Sequence, residues 1–160
     1  MNVNRYFLTM SELSPEKLFW QQKTLKEMTQ EEWEALCDGC AQCCIVKFED
    51  VDTKEIFFTD VVCLLLDIHK CRCTNYPKRS KLVPTCLVLT PELIEQLRWM
   101  PETCAYRLLS EGKPLEWWHP LVSGSPRSVH QAGVSVRGKV VSEKYISEEE
   151  LEDHIIDPDD

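Results

Sequence analysis

The run Cys37-Asp38-Gly39-Cys40-Ala41-Gln42-Cys43-Cys44 packs four thiols into one short stretch. Two cysteines separated by two residues can wrap a turn around one ion, with both sulfurs converging and backbone N–H groups aimed at them. Gly39 suits such a turn because it tolerates positive φ. Two of these pairs overlap here, 37/40 and 40/43, and Asp38 between them is expected to cap backbone N–H groups. In extended backbone adjacent side chains face opposite ways. Cys43 and Cys44 should therefore serve two sites, or divide between a site and the core.

Outward from this run lie Cys63, Cys71, Cys73, Cys86 and Cys104, and all nine cysteines fall between residues 37 and 104. Met1-Asn2-Val3-Asn4-Arg5 lacks the basic-then-apolar layout of a secretory signal, so a cytoplasmic, reducing location is expected. Clustered thiols there read as metal ligands, and an odd count argues against a fully paired disulfide framework. The candidate ligands are Cys37, Cys40, Cys43, Cys44, Cys63, Cys71, Cys73 and Cys86. Cys104, in a helical Thr-Cys-Ala-Tyr context, reads first as a small buried hydrophobe. A structural site takes four ligands, so nine thiols could fill two sites with one left over. Zinc suits closed thiolate tetrahedra. Cys37-x2-Cys40-x2-Cys43 also matches the first three ligands of a ferredoxin-type cluster, although Cys44 follows at once and no proline does. Zinc and iron, the latter alone or as an iron–sulfur cluster, both stay open. Disulfide exchange is the weaker reading, because Cys37 ends a predicted helix, where the dipole disfavours a lone thiolate.

The rest of the chain supplies the frame. At 160 residues, 43% hydrophobic and 28% charged, it has the size and composition of one globular domain. Residues 1–13 read as a weakly ordered leader. Ser14-Pro15-Glu16 starts a helix carrying Leu18, Phe19, Leu25 and Met28, and the capping box Thr29 to Glu32 opens another that ends at Cys37. Ile45 to Glu49 and Glu55 to Thr59 form a predicted β-hairpin. Thr90-Pro91-Glu92 and Pro101-Glu102 start helices reaching about Arg98 and Gly112. Lys113 to Arg127 is an expected ordered loop, Val134 to Val141 an expected strand, and Ser147 to Glu150 a second capping box. The fold class is α+β: a small single domain over residues 14–141, with short helices at both ends and an irregular, metal-organised, cysteine-rich centre. Residues 142–160 form an acidic C-terminal segment with a short helix.

These residues resemble a known group. Beside the cysteine run, Phe58-Thr59-Asp60-Val61-Val62-Cys63, Cys71-Arg72-Cys73-Thr74-Asn75-Tyr76, Thr103-Cys104-Ala105-Tyr106-Arg107 and Trp118-His119-Pro120-Leu121 are similar to the bacterial YcgN-type proteins. The likeness spans about residues 17–155. These proteins sit within the wider YkgJ-type cysteine-cluster family, described as zinc- or iron-chelating. The resemblance implies a cluster of Cys37, Cys40, Cys43, Cys44, Cys63, Cys73 and Cys86, with Tyr76 and Arg79 in a Tyr-x-x-Arg element. Ala41 replaces the family's usual glycine, Ser80 replaces the proline after Arg79, and Cys86 comes later than in the wider family. That wider circle is also similar to part of flagellin lysine methylases, which is the source of an enzymatic reading. The chain has no evident room for a second, methyl-donor domain.

Other chemistries find little footing. Residues 141–160 carry nine acids and one base, so most of the net charge of −9 lies there and the remaining body is almost neutral. That pattern gives no footprint for nucleic acid or for an anionic membrane, and the acidic segment reads as a solvated, partly frayed end. There is no phosphate-cradling glycine loop and no nucleophile elbow. His119, in Trp117-Trp118-His119-Pro120, is a secondary candidate for metal binding or proton transfer; as a residue of an aromatic loop it more simply satisfies backbone. His69 lies between cysteines and could ligate, although Lys70 beside it points to an exposed position. The expected function is metal binding by a cysteine cluster, with a metal ion as the partner and any protein partner unspecified. The alternatives are an iron–sulfur electron-transfer or accessory protein and, third, a metal-dependent enzyme using His119.

Overall fold

The computed structural model describes residues 18–157. The expected helix start at Ser14 and the leader before it lie outside that range. Within it, α1 (Phe19–Gln22) stops early, because Lys23 is extended. Thr24 then caps a separate 3-10 turn, Leu25–Glu27, with Glu27 reaching back to the Thr24 N–H at 2.7 Å. The apolar spacing from Leu18 to Met28 thus belongs to two short turns and not to one helix. Thr29 caps α2 (Gln30–Ala35) as its box predicts: Glu32 N–H donates to Thr29 Oγ1, and the Glu32 carboxylate accepts from Thr29 N–H at 2.8 Å.

The hairpin is present and longer than expected on its second side. β1 (Ile45–Glu49) pairs antiparallel with β2 (Ile56–Val62), in the register Phe48 to Phe57, with an irregularity between Ile45 and Lys47. Asp50 closes the turn by accepting from the N–H groups of Asp52 and Thr53. A second, two-stranded ladder, β3 (Leu66–Asp67) with β4 (Arg72–Cys73), sits in the cysteine-rich middle. Short helices follow: α3 (Arg79–Leu82), α4 (Pro91–Ile94) and α5 (Ala105–Ser110). The helix from Thr90 ends well before Arg98. The one from Pro101 begins only at Ala105, with Cys104 as its cap. Its end is where glycine predicts. Gly112 takes φ +69°, and the bonds Lys113 N–H to Leu108 O and Gly112 N–H to Leu109 O make a Schellman closure.

The loop from Lys113 contains α6 (Pro120–Ser123), and α7 (Ser128–Gln131), unforeseen in the sequence, follows it. The expected strand from Val134 shrinks to β5 (Val141–Ser142), which runs parallel to β2. The alternating valines mark a buried face and not a strand. Gly138 turns the chain at φ +77°, and Val136 is buried against the cysteine run instead of pairing in a sheet. The acidic segment is also not frayed over its described part. Glu148–His154 forms a capped 3-10 helix, Ile155 bridges to Thr59, and Ile156 N–H donates to Phe58 O at 2.9 Å.

Two apolar clusters hold this together. One gathers Phe19, Leu36, Ile94, Met100, Ala105 and Tyr106. The other gathers Ala41, Val62, Leu66, Cys71 and Val136. The cysteine run leaves the first at Leu36 and enters the second at Ala41, so it bridges them. Among the described residues no helix is long and apolar enough to cross a membrane.

Candidate metal centre

Backbone bonds shape the run before any thiol is considered. Leu36, fully buried, ends α2, and its carbonyl accepts from His119 Nε2 at 2.9 Å. Asp38 Oδ1 accepts from Cys40 N–H at 2.9 Å, the expected cap. Gly39 and Ala41 both take left-handed φ, +79° and +60°. A glycine is the natural occupant of position 41 for that reason, and Ala41 holds the conformation with its methyl buried in the second core. Val136 N–H then donates to Cys40 O at 3.0 Å, and Gln42 Nε2 to Val134 O at 2.8 Å, so residues 134–136 strap the run down.

The same bonding brings distant cysteines close. Cys63 N–H donates to Cys44 O at 2.9 Å. The β3–β4 ladder and Thr74 N–H to Leu65 O, 2.7 Å, return Cys73 toward Cys63. As a result the thiols act on one another electrostatically. Cys37 and Cys40 lie in the field of Cys43, Cys44 in that of Cys63 and Cys86, and Cys63 in that of Cys86 and Cys73. By these fields Cys37, Cys40, Cys43, Cys44, Cys63, Cys73 and Cys86 influence one another, and Cys104 also lies in the field of Cys43. Cys37 and Cys43 keep exposed surface, and all nine cysteines are free. Cys71 lies apart: it is buried in the second core at φ +53°, its thiol facing Ile68 O at 3.9 Å. Cys104 caps α5 and packs on the first core. Desolvation raises its thiol to about 11 against the pull of the Arg107 and Tyr106 N–H groups.

Desolvation is also the first cause at Cys37, raised to about 12 in crowded surroundings although the residue keeps a solvent-facing side; the Cys43 charge adds to it. Cys40, Cys63 and Cys86 are raised, again chiefly by burial. Cys43 moves the other way, because a hydrogen bond from the Cys44 thiol stabilises its thiolate and Lys47 assists; Cys44 is correspondingly raised. Crowded thiols that resist ionisation one after another are what a cation relieves, since binding supplies the missing positive charge. Among the described residues no three His, Cys, Asp or Glu side chains already stand in a coordinating arrangement. The donor chemistry therefore fits a thiophilic cation, and ligation would have to draw the sulfurs inward.

Three cations border the group, and composition alone did not single them out. Lys47 Nζ donates to Ile45 O at 2.7 Å and Cys43 O at 3.3 Å, and lies 4.2 Å from the Trp99 ring centroid. Burial lowers its pKa, while Cys43 and Cys44 oppose that shift. Its sequence signal is one base inside the apolar Ile45-Val46-Lys47-Phe48. The Arg72 guanidinium lies over Gly39, where an added Cβ would meet Nη2 at 3.4 Å. Arg79 stacks 3.8 Å over Tyr76, whose hydroxyl donates to Glu34 at 2.7 Å. This places the Tyr-x-x-Arg element beside Cys86, which feels the Arg79 charge. His119 has both ring nitrogens engaged: Nε2–H donates to Leu36 O, and Nδ1 accepts from Leu121 N–H at 3.1 Å. His69 is exposed.

Comparison with known proteins gives a consistent picture. The profile described as "CxxCxxCC: Putative zinc- or iron-chelating domain" matches residues 36–105. A UPF0260 protein of Brucella melitensis biotype 2 is 53% identical over 146 residues, covering 90% of this chain and 96% of its own length. A UPF0260 protein of Rhodopseudomonas palustris is 56% identical over 146 residues, 90% of this chain and 86% of its own length. One from Allorhizobium ampelinum is 53% identical over 139 residues, 87% of each chain. No solved structure matches.

Proposed function

The chain belongs to the UPF0260 family, and from that premise we propose that it is a zinc- or iron-chelating protein of a reducing, cytoplasmic compartment. What supports this reading is that the fold sets the thiols of Cys37, Cys40, Cys43, Cys44, Cys63, Cys73 and Cys86 within one another's electrostatic fields. The sulfurs come from segments far apart in sequence, so a bound cation would tie the run, the end of β2, β4 and residue 86 together and stabilise the fold directly. We leave Cys71 out of the ligand set because it is buried within the second core, and rank Cys104, which caps α5 and packs on the edge of the first, below the seven. We also leave out His119, whose lone pair is occupied, and with it the enzymatic reading. The narrower kinship with YcgN-type proteins is part of the same proposal.

Metal and acid-labile sulfide analysis of anaerobically purified, untagged protein tests it. At least one equivalent of zinc or iron is expected, with thermal stability falling when a chelator removes it. Less than one equivalent in a protein that stays folded would sink the reading. A brown preparation containing sulfide and bleaching on reduction would select an iron–sulfur cluster in electron transfer. A colourless zinc protein would select a structural site.

A further inference from the structure

In an acidic chain, the stretch between Asp67 and Glu92 contains five bases and no acid. Lys23, Lys26, Lys54, Arg107 and Lys113 all find carboxylates. Among the described residues, none of Lys70, Arg72, Lys78, Arg79 and Lys81 has a carboxylate within ion-pair distance, although Lys70 lies in the field of Asp67. Around Lys78 and Lys81 the surface is also unusually apolar. Leu82 is 52% exposed and Val88 54%, with Tyr76 and Leu87 exposed beside them. Bases without a carboxylate in ion-pair range, next to exposed aliphatic side chains, describe a face that another surface covers.

The complementary surface is in the same chain. Glu148, Glu149, Glu152 and Asp153 are exposed and make no ion pair among the described residues. They are flanked by Tyr145, 82% exposed, and by the exposed Ile155 and Ile156. This segment is not loose, because its backbone is pinned to β2. It therefore presents a fixed pattern of acids and apolar anchors, the converse of residues 76–88. Branched aliphatic groups match a protein surface and not a phosphate backbone, and a net charge of −9 repels nucleic acid.

We propose that two copies of this chain associate, with the basic, apolar face of residues 76–88 of each laid against the acidic, apolar segment 145–156 of the other. A two-fold axis makes both contacts at once and closes the assembly. Segment 145–156 holds five acids and no Lys or Arg, and each contact sets them against Lys78, Arg79 and Lys81. Cys86 lies within the basic face, which places the second copy beside the thiol group. The inference does not depend on which cation those thiols hold, or on whether they hold one.

Sedimentation velocity on the full chain as purified, under reductant to prevent disulfide cross-links, tests it. A concentration-dependent dimer is expected at low salt, weakening as salt rises. The double variant Lys78→Glu/Lys81→Glu should weaken it by ~10-fold or more, and so should Glu148→Lys/Glu149→Lys. These positions are exposed, so unchanged circular dichroism and melting temperature check that each variant folds. Mixing the two variants restores both contacts and should yield a heterodimer that neither forms alone. A monomer at every concentration, a dimer indifferent to both reversals, or a mixture that stays monomeric would each overturn the proposal. Retention of a monomeric wild type on an immobilised acidic peptide would overturn it in favour of a foreign acidic protein.

Discussion

Cys43 carries its chemistry through two neighbours, the Cys44 thiol and Lys47. Lys47→Met removes the cation, so alkylation of Cys43 in metal-free protein near neutral pH should slow by roughly threefold, while Lys47→Arg stays near wild type. Peptide mapping after timed iodoacetamide treatment reads this out. His119 acts on the centre at one remove, holding Leu36 in place just before Cys37. His119→Ala leaves Leu36 O and Leu121 N–H without their partner in a site 2% exposed. About 3 kcal/mol of stability should be lost, measured by urea unfolding. Burial holds the His119 pKa below 6.5, against the Leu36 bond and Asp38. The unfolded chain therefore binds its proton first as acid is added. The wild type should lose stability as pH falls through about 6.5 toward the lower folded value, and His119→Ala should lack that component.

Among the elements, the overlapping chelate turns show how local conformation prepares a site. Gly39→Ala places a side chain at φ +79° and brings its methyl against the Arg72 guanidinium. It should cost about 1–2 kcal/mol by thermal melting. Ala41→Gly relieves about 1 kcal/mol of left-handed strain and removes a buried methyl worth about 0.8 kcal/mol. It should therefore be nearly neutral, and a large loss would mean that the methyl matters more than the backbone. Capping boxes and the glycine stop were legible in sequence because they are local hydrogen-bond patterns. The strand expected from Val134 was not. Alternating valines specify a buried face without specifying what covers it, and here Val136 meets Ala41 and Val62 across the second core. α4 is shorter than expected for a related reason: Thr90 and Pro91 mark where a helix begins, and nothing local marks where this one ends.

Over the whole molecule, the acidic end is fastened to the sheet by the Ile155 bridge, the Ile156 N–H bond and a hydrogen bond between His154 Nδ1 and Asp60 Oδ1 at 2.7 Å. That pair is half exposed, so His154→Ala should lower global stability by less than ~1 kcal/mol. It should still accelerate amide exchange at Ile156, because local opening and global unfolding are separate events. Unchanged exchange at Ile156 would show that the backbone bonds alone hold the segment. By itself the sequence determined the helix starts capped by Thr29 and Thr90, the hairpin and the concentration of thiols in one region, since each depends on neighbours a few residues away. Only the tertiary structure decided which cysteines share a field and which fill a core. Cys71 and Cys73 are separated by one residue, yet one is buried in the cluster of Val62 and Val136 while the other is half-buried and acts on Cys63 through its charge. That division follows from long-range contacts between segments, and spacing along the chain carries no record of them.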